Sequence, residues 1–124
     1  MRIKTGIRAA TNAAKNSQYM DYRVGAALFM GSRFMGHGWN WMKKTSPASN
    51  SRFKCIHAEL HCLSPFIRKG IDLTNAHLFV VRLTPNNLLA IAKPCKYCQE
   101  FLKDLGLRAI YYTNRVGDVE VMTI

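Results

Sequence analysis

The chain has 124 residues, enough to bury one core and too few for two, so a single catalytic-size domain over 1–124 is expected. Apolar residues at 48% and charged residues at 20% exclude a disordered chain. No apolar run reaches the roughly 20 residues of a membrane-spanning helix, so no membrane partner is expected. Lys and Arg number 18 against 7 Asp and Glu, a net charge of +11. The excess is uneven: residues 1–58 carry ten basic side chains and one acid, Asp21, a balance of +9. An electropositive N-terminal half suits a polyanion or a phosphorylated ligand, and equally a solvated basic surface.

In chain order, Ile3, Ile7, Ala10 and Ala14 recur at helical spacing and predict a first helix over 3–17. This basic stretch has neither an apolar signal core nor a small-residue cleavage site, so a cytoplasmic location is expected. Arg23 to Met30 is a short apolar run, followed by Gly31-Ser32 and then Arg33 to Asn40, which together predict a hairpin. Trp41 to Lys54 reads as a loop. Cys55 to Ile67 carries Ile56, Leu60 and Leu63 at helical spacing and stops near Lys69-Gly70. His77 to Leu83 reads as a buried strand, and Thr84 to Lys93 as a loop containing Pro85 and Asn86-Asn87. Pro94 opens a helix to Leu105-Gly106. Ala109 to Thr113 and Val119 to Thr123 are strands joined by the turn Asn114 to Gly117. The order α-β-β-α-β-α-β-β implies an α/β sheet with parallel pairing and helices packed on it.

Four cysteines, Cys55, Cys62, Cys95 and Cys98, are too sparse for a disulfide scaffold, so the C-x-x-C pair reads as metal-binding or redox-active. Two motifs precede the second and third helices: His57-Ala58-Glu59 and Pro94-Cys95-Lys96-Tyr97-Cys98. One His and two Cys suit Zn²⁺ and leave a fourth tetrahedral position open. Cys95 and Cys98 stand three apart, so both can face one ion, and a helix N-terminus favours thiolate. Glu59 is close enough to act beside the metal without binding it. The zinc-protease pattern fails, because His57 and His61 are four apart but Glu59 does not follow the first His directly. Cys55, Cys62 and His61 read as packing residues.

Taken together, H-x-E and P-C-x-x-C resemble the signature of zinc nucleobase deaminases. Tyr22-Arg23-Val24-Gly25-Ala26-Ala27-Leu28 is similar to the first-strand motif of cytidine deaminases, and Gly38-Trp39-Asn40 to the end of their second strand. The resemblance to the cytidine and deoxycytidylate deaminase superfamily runs from about residue 14 to 113. It implies a three-layer α/β fold: a five-stranded mixed sheet with helices on both faces and a final antiparallel hairpin. It implies that His57, Cys95 and Cys98 hold Zn²⁺ and that Glu59 carries protons. It also implies that Ala58 contacts the base through its backbone, that Asn40 contacts the ribose, that Tyr22 borders the base, and that the chain forms a homo-oligomer.

The chain departs from nucleoside-specific members, which carry Cys where His57 stands and an acid where Met42 stands. The short Asn114–Gly117 turn departs from the deoxycytidylate branch, and the ten-residue loop Thr84–Lys93 is longer than usual. The sequence thus falls between subfamilies, near small phage- or virus-type members. The implied activity is hydrolysis of cytidine, deoxycytidine, CMP or dCMP to the uracil product and ammonia. The alternative is a cytosine or adenine deaminase of single-stranded DNA or RNA. In that case Trp39, Trp41 and Phe53, interleaved with Lys43, Lys44, Arg52 and Lys54, would stack bases and bind phosphates.

Overall fold

The computed structural model describes residues 3–42 and 55–123. Helix α1 (Ile3–Ala14) leads into strands β1 (Arg23–Met30) and β2 (Arg33–Trp39) and the two-residue β3 (Trp41–Met42). Strand β4 (Cys55–Ile56) precedes helix α2 (Ala58–Arg68), strand β5 (Ala76–Leu83) and the short β6 (Leu89–Ala90). Helix α3 (Lys96–Asp104), β7 (Ala109–Thr113) and β8 (Val119–Thr123) complete the chain.

The main sheet has the order β2-β1-β5-β7-β8, with β6 added beside β5. Its single parallel pair is β5–β7, the two strands that α3 connects. The other pairs are antiparallel, including the terminal β7–β8 hairpin the turn residues predict. Side chains alternate across the strands and feed two cores. Ala27, Phe29, Phe79 and Val81 meet Ala10 and Ala14 of α1 on one face. Leu28, Leu78, Val80 and Ile110 meet Leu63 of α2 and Leu102 of α3 on the other. Both faces of β1 and β5 are therefore covered, which is why these strands read as continuous apolar runs. The expected three layers and five-stranded mixed order are present.

Two glycines set the helix heights. A Cβ on Gly25 would lie 2.1 Å from the Ala10 carbonyl oxygen, and one on Gly38 would lie 2.3 Å from the Cys62 nitrogen. Backbone-to-backbone contact at these points seats α1 and α2 directly on the sheet.

Several boundaries differ from expectation, among them Trp41–Met42, read as loop but paired with β4, and the third helix, which starts at Lys96 rather than Pro94. Helix α1 stops at Ala14 rather than residue 17, because Ser17 turns inward and its hydroxyl donates to the Asn40 carbonyl at 2.9 Å. The second helix starts at Ala58, not Cys55: Cys55 and Ile56 are extended and pair with Met42 and Trp41. Their apolar spacing mimics a helix, but a cross-strand partner claims the backbone. Leu89–Ala90, read as loop, pairs with Leu83 and Arg82. No helix among the described residues is long and apolar enough to cross a membrane.

Candidate active site

The second and third helices begin where extended chain breaks into the first turn. His57 is the N-cap of α2, with φ −67° and ψ 148°, and its ring caps no backbone N–H of that helix. The imidazole is instead directed at the start of α3. Cys95 is the N-cap there, with φ −65° and ψ 163°, and its sulfur accepts the Cys98 N–H at 3.5 Å. His57 Nδ1 stands 3.2 Å from Cys98 Sγ and 4.0 Å from Cys95 Sγ. All three donor atoms lie within 4.8 Å of one another, and among the described residues no other three-residue His/Cys/Asp/Glu group gathers this way.

The donor set fits zinc. Tetrahedral Zn–N and Zn–S bonds put N and S about 3.6 Å apart, between the two observed values. Burial, and then the neighbouring Glu59 carboxylate, push the Cys98 thiol well above its ordinary range. A cation held between these side chains is the charge that would make this buried sulfur a thiolate. Cys62 and His61 take no part. Cys62 is buried under β2, pointing at the Gly36 carbonyl at 3.7 Å, and burial pushes its thiol up to about 12. His61 Nδ1 sits 3.1 Å from the Trp39 nitrogen and 3.0 Å from its oxygen, with its ring edge-on to Trp39 at 4.7 Å. Both are packing residues, as their sequence context suggests; the Cys55 side chain lies outside the described residues.

Glu59 occupies the second position of α2, only 5% exposed. Burial raises its carboxyl above the ordinary range, while its own backbone N–H, His57 and Cys98 act in the opposite direction. The carboxyl faces a cavity of about 160 Å³ that His57, Ala58, Tyr22, Asn40 and Val80 also line. Tyr22, Asn40, His57, Ala58, Glu59 and Cys95 thus border one cavity, and Cys98 belongs to the donor group of His57 and Cys95.

Asn40 has a role the sequence does not announce. Its Oδ1 accepts the Val24 N–H at 2.8 Å, its Nδ2 donates to the Tyr22 carbonyl at 2.7 Å, and its own N–H donates to Val24 O at 3.1 Å. The amide thus clasps the start of β1 and holds Tyr22 at the rim, with one amide N–H and one lone pair not used in these bonds. Tyr22 is 52% exposed, with the Arg82 guanidinium over its ring at 4.4 Å from the centroid. Arg82 and Lys93 are the residues near the site that sequence reasoning misses: Lys93 lines the cavity, and Arg82 lies over the ring of Tyr22, which lines it. Neither belongs to a motif, and only the folded arrangement brings them there. The side chains of Lys43, Lys44, Arg52, Phe53 and Lys54, and that of Met42, lie outside the described residues.

Residues 2–114 match the family model described as the cytidine and deoxycytidylate deaminase zinc-binding region. Among solved structures, a cytidine deaminase from Burkholderia pseudomallei is similar at TM-score 0.74 and 26% identity, over 99% of this chain and 93% of that one. A dCMP deaminase from the cyanophage S-TIM5 is similar at TM-score 0.69 and 20% identity, over 93% and 86% of the two chains. A cytidine deaminase from Mycobacterium leprae reaches TM-score 0.62 at 22% identity, over 98% and 93%. The last two likenesses speak to fold alone. No curated protein matches the sequence significantly.

Proposed function

Since the chain belongs to the cytidine and deoxycytidylate deaminase zinc-binding family, we propose that it hydrolyses the amino group of a cytosine nucleoside or nucleotide, releasing ammonia and the uracil product. The observation that carries this reading is the convergence of His57, Cys95 and Cys98 on one point, with the buried Glu59 facing the same cavity. The same convergence supports zinc as the resident metal.

His57 Nδ1 and the sulfurs of Cys95 and Cys98 would hold the ion. Bound there, zinc supplies Lewis acidity and lowers the pKa of a water from 15.7 to about 7. Glu59 takes a proton from the attacking water and delivers it to ring N3, which makes C4 electrophilic. The same carboxyl then carries a second proton to the departing amino group. One carboxyl can serve both steps because it alternates between base and acid. Val24 and Val80 offer apolar walls to the base, and Ala58, at the first position of α2, has a backbone N–H without an intrahelical partner. Asn40 holds the rim and keeps one amide N–H for the sugar.

The test is chromatography of zinc-loaded protein incubated separately with cytidine, deoxycytidine, CMP and dCMP. One uracil product with one equivalent of ammonia from at least one of the four supports the reading. No product from any of them overturns it.

A further inference from the structure

Two cations near the cavity have no ion-pair or hydrogen-bond partner among the described residues, although one of them lies over an aromatic ring. Lys93 lines it, directly before the Pro94-Cys95 pair that leads into α3. Arg82 lies two residues beyond Val80 on β5 and so projects from the same sheet face. Its register partner across the sheet is Val24, and both Val80 and Val24 are cavity walls. The guanidinium is laid over Tyr22 at the rim. The Arg82 Nε atom is buried with no hydrogen-bond partner. Among the described residues, neither Arg82 nor Lys93 has an ion-pair or hydrogen-bond partner.

Arg23, on the neighbouring strand, also has a buried Nε without a partner, but the end of its guanidinium is tied to the protein. Its guanidinium donates to the Thr84 carbonyl at 2.8 Å and to Asn87 Oδ1 at 2.7 Å, tying down the loop that follows β5. Arg82 secures no loop. A charged N–H left buried and unpaired costs stability, and an acceptor arriving from outside would remove that cost.

The cavity geometry says where that acceptor would come from. A pyrimidine whose amino-bearing carbon faces His57, Cys95, Cys98 and Glu59 turns its opposite ring edge, and hence the sugar, outward. A cavity of about 160 Å³ takes the base and leaves the sugar's 5′ end at the rim. There the ligand meets Tyr22, the guanidinium on it and the Lys93 ammonium. A fork of N–H donors beside a mobile point charge is the combination that recognises a phosphate dianion.

We propose that Arg82 and Lys93 form a 5′-phosphate anchor, so that the substrate is a cytosine nucleoside monophosphate in preference to the nucleoside. This rests on the deaminase reading above and names its substrate class. The anchor consists of residues of this chain that no motif marks.

The experiment measures kcat/KM for dCMP, CMP, deoxycytidine and cytidine with the zinc-loaded wild type and with Lys93→Gln, Arg82→Gln and Arg82→Lys. Zinc content and circular dichroism confirm that each variant is folded. The expected result is a wild-type preference for the monophosphate, lowered about 10- to 100-fold by each Gln variant and carried by KM for the monophosphate. Arg82→Lys should retain part of the preference. Inorganic phosphate should compete with dCMP in the wild type and compete less in Lys93→Gln, whose exposed side chain poses no folding risk. Equal wild-type kcat/KM for nucleoside and monophosphate overturns the anchor while leaving the deaminase reading intact. So does a preference that survives both Gln substitutions. Faster turnover of a single-stranded oligonucleotide than of dCMP, with a salt slope near −0.7 per phosphate contacted, also overturns it. Turnover of none of the four small substrates defeats the deaminase reading itself, and the anchor with it.

Discussion

Glu59 is a carboxylate that folding has taken out of water and set beside His57, Cys95 and Cys98, a group that could hold a metal ion. Glu59→Gln keeps the shape and removes the proton; it should bind zinc normally and lose ~10²–10⁴ in kcat. A near wild-type rate would assign proton transfer elsewhere. Cys95→Ala and Cys98→Ala should each lose zinc in metal analysis, and full retention in both would remove the ligand assignment. The thiols also separate by reactivity. Burial holds Cys62 protonated to about pH 12, whereas Cys95 is exposed. In metal-free protein at about pH 8.5, the ordinary thiol pKa, an alkylating agent should modify Cys95 and spare Cys62 until denaturant is added. Equal labelling of the two in the native state would contradict the described packing. The sign for stability follows: the raised Cys62 value contributes below the unfolded thiol pKa and is lost as pH climbs toward 12. The grouping of His57, Glu59, Cys95 and Cys98 was legible in the sequence through the resemblance of H-x-E and P-C-x-x-C to a known signature, and the fold brings the four together. Arg82, Lys93 and the clasp made by Asn40 were not legible, because each depends on neighbours distant in the chain.

Helix α2 carries His57 at its N-cap and Glu59 in its first turn, so the height of that helix above the sheet sets the site. Gly38 fixes the height: Cβ would meet the Cys62 nitrogen at 2.3 Å and its Cα at 2.7 Å, both backbone atoms that cannot step aside singly. Gly38→Ala should therefore lift α2, destabilise the fold by about 1–3 kcal/mol as overpacking does, and weaken zinc binding in parallel. An unchanged urea midpoint with unchanged zinc affinity would show that α2 is seated by other contacts. The strands β1, β5, β7 and β8 were legible from apolar runs bounded by turn residues, and α3 from Pro94. The start of α2 was not. Cys55 and Ile56 sit at helical spacing from Leu60 and Leu63, and only their pairing with Met42 and Trp41 makes them extended. Local periodicity carries no record of such a partner. The cap conformations of His57 and Cys95 matter for the same reason: with extended backbone at both positions, His57 makes no cap bond to its own helix and reaches the start of α3, where the Cys95 sulfur caps α3 through the Cys98 N–H.

Across the whole molecule, charge and exposed apolar surface bear on how the domain meets its surroundings. The +9 balance of residues 1–58 should draw anions toward the chain and make nucleotide KM rise with salt, shallowly if one phosphate is bound. Trp39 and Trp41 are two of the aromatics that the sequence offers for stacking on single-stranded bases. They are half-buried, and both pack on the His61 ring. Exposed apolar surface suited to assembly lies instead on the edge strand β8, at Val119 and Val121, and at Tyr97 on α3. Sedimentation at micromolar concentration should show a multiple of 14.1 kDa, and a species of that mass alone would contradict the expected homo-oligomer. The central claim is that a zinc-dependent proton shuttle at Glu59 deaminates cytosine. Its most direct measurement is ammonia released per bound zinc, for wild type and Glu59→Gln side by side on dCMP and deoxycytidine. The account predicts equal zinc in both proteins, steady ammonia with the uracil product from the wild type, and a near-silent variant. Equal ammonia from both proteins, or none from a fully zinc-loaded wild type, would contradict it.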